Sequence, residues 1–443
     1  MSASGPKRLN LFDATMLVMG GIIGVGIFFT PQKVALLVPD TGPYFTMWIL
    51  GGVAALAGAM TFAELAGTFP RAGGWYVFLR EAFGSLPAFL FAWIVLFVIS
   101  TGATSVVLDF AAGQIGTLVW GAGAIPGWAP KTISVTLVVA ITGIALAGVK
   151  SGALFQNFCM VAKLLAIGAL AFAGLALFVP EPVPVAVPVP DAPRIASGMM
   201  QAALPVLFSY GGWQLVCYIA PQVENPVRNL PLSILLGVAG VIVVYLAINL
   251  AYVRVLGLPT IAERPDFASA MALRVFGSSG GKILVLAMAI SSMGIVTALV
   301  LATPGLYVAM AEEGLFVRAI GRPHPRTGAP VLALLIQLAM ILGYVAWGNA
   351  GVLTDAVVFA EWIFHALCGL ALLRVRAKLP DLPRPFRSFA YPLFPALYAL
   401  LATSVVVGSL ATTKAVTTGI GLGVLAVGLV VYLPWHRLAT RGR

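Results

Sequence analysis

The sequence predicts an all-α protein that crosses a lipid bilayer about twelve times, and three observations carry this. Of 443 residues, 60% are hydrophobic and only 9% are charged, against about 25% charged in soluble proteins. Apolar runs of roughly 20 residues, the length of one membrane-spanning helix, recur from end to end. At about 37 residues per span and loop, the chain accommodates roughly twelve of them. No loop is long enough for a soluble catalytic domain.

The expected spans are 11–38, 43–68, 86–119, 132–149, 152–179, 196–222, 231–256, 281–310, 329–347, 352–374, 390–411 and 415–433. Their orientation follows from the basic residues. Of the 26 Lys and Arg residues, seventeen fall in the loops and tails of one face and eight, counting Lys33, near the other. Lys163 is left midway along a span. That asymmetry places both termini in the cytoplasm of a cell whose plasma or inner membrane holds the protein. The first apolar run continues to Val38 with no small-residue cleavage site before it, so no cleavable signal is expected.

The net charge of +11 does not point to nucleic acid, because the basic residues sit in short loops between apolar runs. Cys159, Cys217 and Cys368 all fall inside apolar runs, so neither a disulfide nor a zinc site is expected. Residues 180–193, PEPVPVAVPVPDAP, read as an extended proline-rich connector. Residues 259–280 mix Glu263, Asp266 and Arg274 with apolar residues and predict a short amphipathic helix over the outer face.

Two spans carry interruptions. The first reads Gly20-Gly21-Ile22-Ile23-Gly24-Val25-Gly26-Ile27-Phe28, and each glycine weakens a helix by about 1 kcal/mol relative to Ala. The sixth reads Phe208-Ser209-Tyr210-Gly211-Gly212-Trp213, with Pro205 just before it. One such run is equally well read as close helix packing through small residues. Two runs five spans apart instead match the pointer to a midplane binding site in an inverted-repeat transporter. In lipid, freed backbone is tolerated only where it lines a cavity or is buried in protein. A half-helix N-terminus offers free amides to a carboxylate. A half-helix C-terminus offers free carbonyls to an ammonium group. Together they fit the two α-groups of an amino acid.

At this point the residues resemble a family, the amino acid–polyamine–organocation transporters, and within it the L-type and related bacterial amino-acid permeases. The resemblance covers nearly the whole chain. It rests on Gly24-Val25-Gly26-Ile27-Phe28, on Glu64-Leu65 followed by Pro70-Arg71-Ala72-Gly73-Gly74-Trp75-Tyr76, and on Phe208-Ser209-Tyr210-Gly211-Gly212-Trp213 with Glu224-Asn225-Pro226 and Asn229-Leu230-Pro231. Arg384-Pro385-Phe386 with Tyr391-Pro392 adds a fourth block. The resemblance implies the leucine-transporter-like fold. Its first repeat would span 1–179, its second 196–374, and two additional helices 390–433. It further implies that backbone around Ile22, Ile23, Gly24, Val25 and Gly26, and around Phe208, Ser209 and Gly211, holds the substrate, with Phe208 as a gate. Many members carry Ser where this chain has Val25, so backbone amides must hold the carboxylate here.

Ionisable residues inside spans are costly and are functional candidates by default. Lys163 lies midway along the fifth span. By resemblance it replaces a bound sodium ion, bridging the carbonyls of the first break to the hydroxyls of Ser291 or Ser292; proton carriage and a purely structural role are the alternatives open to it. Glu361, by resemblance, falls on the pocket wall of the tenth span. It is expected to meet a polar or cationic substrate end, to gate coupling as a protonated acid, or to be a satisfied carboxyl bonded to Trp213 or Tyr210. Val106, Asp109 and Gln214 are further pocket candidates. His365 lies one helical turn beyond Glu361, but with no third ligand nearby no metal site is expected. Glu64 reads as an anchor for the loop that follows it.

The reading is therefore a sodium-independent secondary transporter of L-amino acids, an exchanger or proton symporter working by alternating access. A polyamine or cationic-amine carrier of the same fold is the alternative, and a channel ranks lower. Three histidines and scattered carboxylates make no catalytic cluster, so neither an enzyme nor a cofactor is expected. Eukaryotic L-type relatives tether an accessory subunit through a cysteine before the fourth span. Residues 120–131 contain none, so no disulfide-linked partner is expected.

Overall fold

In the computed structural model the described residues are 8–121, 123–177, 192–348, 350–412 and 415–441. Among them the chain is helical, and one bridge between Leu9 and Val223 is its β pairing. Six helices are long and apolar enough to cross a membrane: Thr41–Thr68, Ser85–Trp120, Ala129–Leu146, Val149–Leu177, Pro226–Leu256 and Ser279–Glu312. Further apolar helices include Val331–Trp347 and Leu393–Thr412. With this composition, the chain is a multi-pass membrane protein.

The Val149–Phe172 helix shows how the pattern sorts its faces. Phe158, Leu165 and Phe172 are 64%, 68% and 64% exposed, while Met160, Lys163, Ile167 and Leu170 are buried. Both sets recur at helical spacing. The outward set is as apolar as the inward one, which suits hydrocarbon and not water.

Both interruptions appear as breaks. The first half-helix, Leu11–Ile22, starts in a capping box: the Asn10 side chain accepts from the Asp13 amide at 2.9 Å, and Asp13 accepts from the Asn10 amide at 3.0 Å. It stops at Ile22, and after irregular residues 23–25 the chain makes a short turn, Gly26–Phe28, then the helix Thr30–Leu37. The second breaks after Ala192–Tyr210 and resumes as the short helix Leu215–Tyr218. Behind them sits an aromatic wedge, with Trp48 edge-on to Tyr210 and Tyr245 at centroid distances of 6.2 and 5.9 Å.

Several expectations need correction. The run 86–119 is a helix with a wide π turn over Val95–Ile99. A helix over Trp75–Phe83 had no counterpart in the periodicity reading; its Trp75 through Leu79 are buried. Gly74 enters this helix at φ 46°, where a Cβ would lie 2.7 Å from that of Cys217, so only glycine fits. Residues 259–280 form two short helices, Leu258–Glu263 and Phe267–Phe276. The connector expected at 180–193 lies outside the described residues up to 191.

Glu64 anchors a different loop from the one expected. It takes two hydrogen bonds from Arg376, at 2.7 and 2.6 Å, and one from the Ser388 amide at 2.6 Å. It thereby fixes the segment between Ala350–Lys378 and Leu393–Thr412, far along the chain, where spacing alone gives no clue to the partner.

Candidate functional site

The two breaks meet backbone to backbone. A Cβ on Gly21 would lie 2.7 Å from the Gly212 carbonyl oxygen, and one on Gly212 would lie 2.3 Å from that of Gly21. Gly212 also sits at φ 120°, a conformation costly to any residue with a side chain. The glycines therefore do two things at once: they stop the helices and let them touch.

A cavity of about 160 Å³ lies against this contact. Gly21, Ile22, Gly24, Val25 and Gly26 line it from the first break, and Phe208, Ser209, Gly211, Gly212 and Gln214 from the second. Phe208 is half-buried at its edge. The half-helices Leu11–Ile22 and Ala192–Tyr210 both direct their C-terminal, carbonyl-bearing ends here. Val25 and Gly26 open the turn that follows, where amides lack a partner one turn earlier. The cavity thus offers acceptors and donors within a largely apolar wall.

Lys163 is 1% exposed, and its ammonium group donates to the carbonyl oxygen of Ile23. Ile23 itself is fully buried and, unlike its neighbours Ile22 and Gly24, is not part of the cavity lining. The expected hydroxyl partners do not reach. Ser292 folds back on its own helix, donating to the Met288 carbonyl at 2.8 Å, the usual local competition for a helical serine. Ser291 is buried, and its hydroxyl has no partner among the described residues. Lys163 instead meets the eighth span at Gly294, where an added Cβ would be 4.0 Å from Nζ.

Glu361 lines the cavity, and its partner is neither Trp213 nor Tyr210. Gln214 Nε2 donates to its Oε1 at 2.8 Å, while Gln214 Oε1 accepts from the Gly212 amide at 3.1 Å. The carboxylate is thus coupled to the second break through one amide side chain. Tyr210 is occupied with the Trp48 carbonyl at 3.1 Å, and the Trp213 indole nitrogen has no partner among the described residues. His365 also lines the cavity, with Nε2 at 3.8 Å from Glu361 Oε1 and Nδ1 bonded to the Tyr398 hydroxyl. Among the described residues, no three potential metal ligands cluster.

Val106 and Asp109 lie off the site. The third span faces the cavity through Val95, Ile99, Ser100, Ala103 and Val107, a stripe with helical spacing. Val106 is half-buried beside it and Asp109 is exposed at the surface. The π turn at Val95–Ile99 inserts an extra residue and rotates the following helix, a phase change that regular spacing does not contain.

One contributor went unread in the sequence. The Tyr245 hydroxyl, fully buried, lies 3.1 Å from the Ile22 carbonyl and 3.0 Å from that of Ser209. It ties together the carbonyl ends of both half-helices. A tyrosine in the otherwise apolar stretch Val241–Ile248 was the available signal. Similarly, Asp13 receives Lys150 and, at 2.8 Å, Asn157, so the first half-helix is held by the helix that also carries Lys163.

Comparison with known proteins agrees with this architecture. The amino acid permease family model matches residues 9–432. The chain is 28% identical over 430 residues to the serine/threonine exchanger SteT of Bacillus subtilis (strain 168), covering 96% of each chain. It is 28% identical to the b(0,+)-type amino acid transporter 1 of Oryctolagus cuniculus, covering 86% of this chain and 78% of the relative. Against the human cystine/glutamate transporter it is 27% identical, covering 96% and 84%.

Proposed function

Since this chain belongs to the amino acid permease family, we propose that it is a sodium-independent secondary transporter of L-amino acids that works by alternating access. The observation that carries this is the backbone contact of Gly21 with Gly212 beside one cavity. Helix-terminal carbonyls of both breaks and the amides of Val25 and Gly26 border it, matching an ammonium and a carboxylate held a bond or two apart. The names of the relatives, exchangers and transporters of amino acids, support the same class.

In this reading residues 1–179 and 196–374 are two inverted repeats of five spans, and 390–433 adds two spans. Phe208 closes over the substrate. Lys163 supplies the positive charge that a sodium ion would bring to the Ile23 carbonyl, which removes the need for sodium. Both termini lie in the cytoplasm, and the single chain suffices for transport. Uptake and counterflow of radiolabelled amino acids in proteoliposomes test the class. Saturable exchange is the expected result; non-saturable flux would indicate a pore.

A further inference from the structure

The cavity wall carries a carboxylate with one oxygen unmatched. Glu361 Oε1 is engaged by Gln214 at 2.8 Å and lies 3.8 Å from His365. Both neighbours are on the same oxygen. Among the described residues no hydrogen bond reaches Oε2, and 21% of the side chain remains exposed while the residue lines the cavity. Among the described residues, no Lys or Arg lines that cavity. Lys163, the buried cation within the spans, is turned to the Ile23 carbonyl instead. Around these polar groups the lining includes the apolar side chains of Val95, Ile99, Leu215 and Trp362.

This combination selects a side chain. A carboxylate in a low-dielectric cavity is costly unless a proton neutralises it or a charged partner meets it, and only the second makes it a recognition element. A purely hydrocarbon substrate would cover the apolar wall but leave Oε2 dry and unpaired. A hydrocarbon stem ending in an ammonium or guanidinium group satisfies both, with a charge-assisted hydrogen bond at its tip. We propose that the cavity prefers L-amino acids with a cationic side chain, of the lysine, ornithine and arginine class, and that Glu361 is the residue that sets this specificity. Gln214 is its positioning residue, holding the carboxylate in register with the second break. This rests on the amino-acid carrier reading above.

L-Lysine and L-norleucine share the four-carbon stem and both α-groups and differ at the tip. In direct binding to the purified protein, lysine should bind about 10- to 150-fold tighter. Capping its side-chain amine, as in Nε-acetyl-L-lysine, should remove that advantage. In Glu361→Gln, with monodispersity on size exclusion as the check of folding, the lysine-to-norleucine ratio should collapse toward one. Norleucine binding as tightly as lysine to the unmodified protein, or an undiminished ratio in Glu361→Gln, would overturn the inference while the carrier reading stands. Failure of every L-amino acid to bind would overturn both.

Discussion

The ammonium group of Lys163 and the carbonyl oxygen of Ile23 are hydrogen-bonded across the centre of the protein, 140 residues apart in sequence. The bond joins the fifth span to the point where the first span stops being a helix. A freed carbonyl inside a membrane protein must find a donor or a cation, and here the chain brings its own.

Replacing Lys163 with Ala should therefore uncover the Ile23 carbonyl and reduce exchange at least tenfold, while the protein remains monodisperse. Transport by the unmodified protein should be the same in sodium and in choline buffers. Proteoliposome uptake in the two buffers checks this; sodium-stimulated uptake by the unmodified protein would refute it.

The contact of the two breaks predicts a sharp difference between glycines. Gly212→Ala places a methyl group within 2.5 Å of Gly21 backbone at an unfavourable φ, and the backbone on the other side cannot move like a flexible side chain. Transport should be lost, with a thermal destabilisation of at least about 3 kcal/mol. Gly168→Ala, on an exposed helix face with open space around it, should be neutral or stabilise by up to about 1 kcal/mol. Melting curves of the two variants side by side make the comparison.

Tyr245→Phe keeps the ring that packs on Trp48 and Tyr210 but removes the hydroxyl shared by Ile22 and Ser209. Two buried carbonyls lose a donor, at a cost of about 1–3 kcal/mol. Exchange should slow and the melting temperature fall; a variant indistinguishable from the parent in both would show that the hydroxyl does not hold the breaks together.

Much of this was legible in the sequence, for physical reasons. Paired glycine clusters in apolar runs mark helix breaks, because lipid forbids unsatisfied backbone elsewhere. A lysine in mid-span marks a buried partner, because the cost of burying it is too high otherwise. Partners were harder. The choice of Gln214 over Trp213 or Tyr210 for Glu361, and of Gly294 over the serines beside Lys163, depends on rotation about the helix axis. The π turn at Val95–Ile99 changes that rotation by one residue, which put Asp109 on the surface and Val107 in the wall. The Glu64 and Arg376 pair joins residues 312 apart, a distance over which local pattern carries no information.

In the proposed carrier, the breaks read the α-ammonium and α-carboxylate of the substrate. Competition against a bound L-amino acid by its own amide, its decarboxylated amine and its deaminated acid tests this most directly. Each analogue loses one charge-assisted interaction worth about 1.5–3 kcal/mol, so each should compete about 10- to 150-fold more weakly than the parent. A decarboxylated amine that competes as well as its parent would contradict the account and would point to a polyamine carrier.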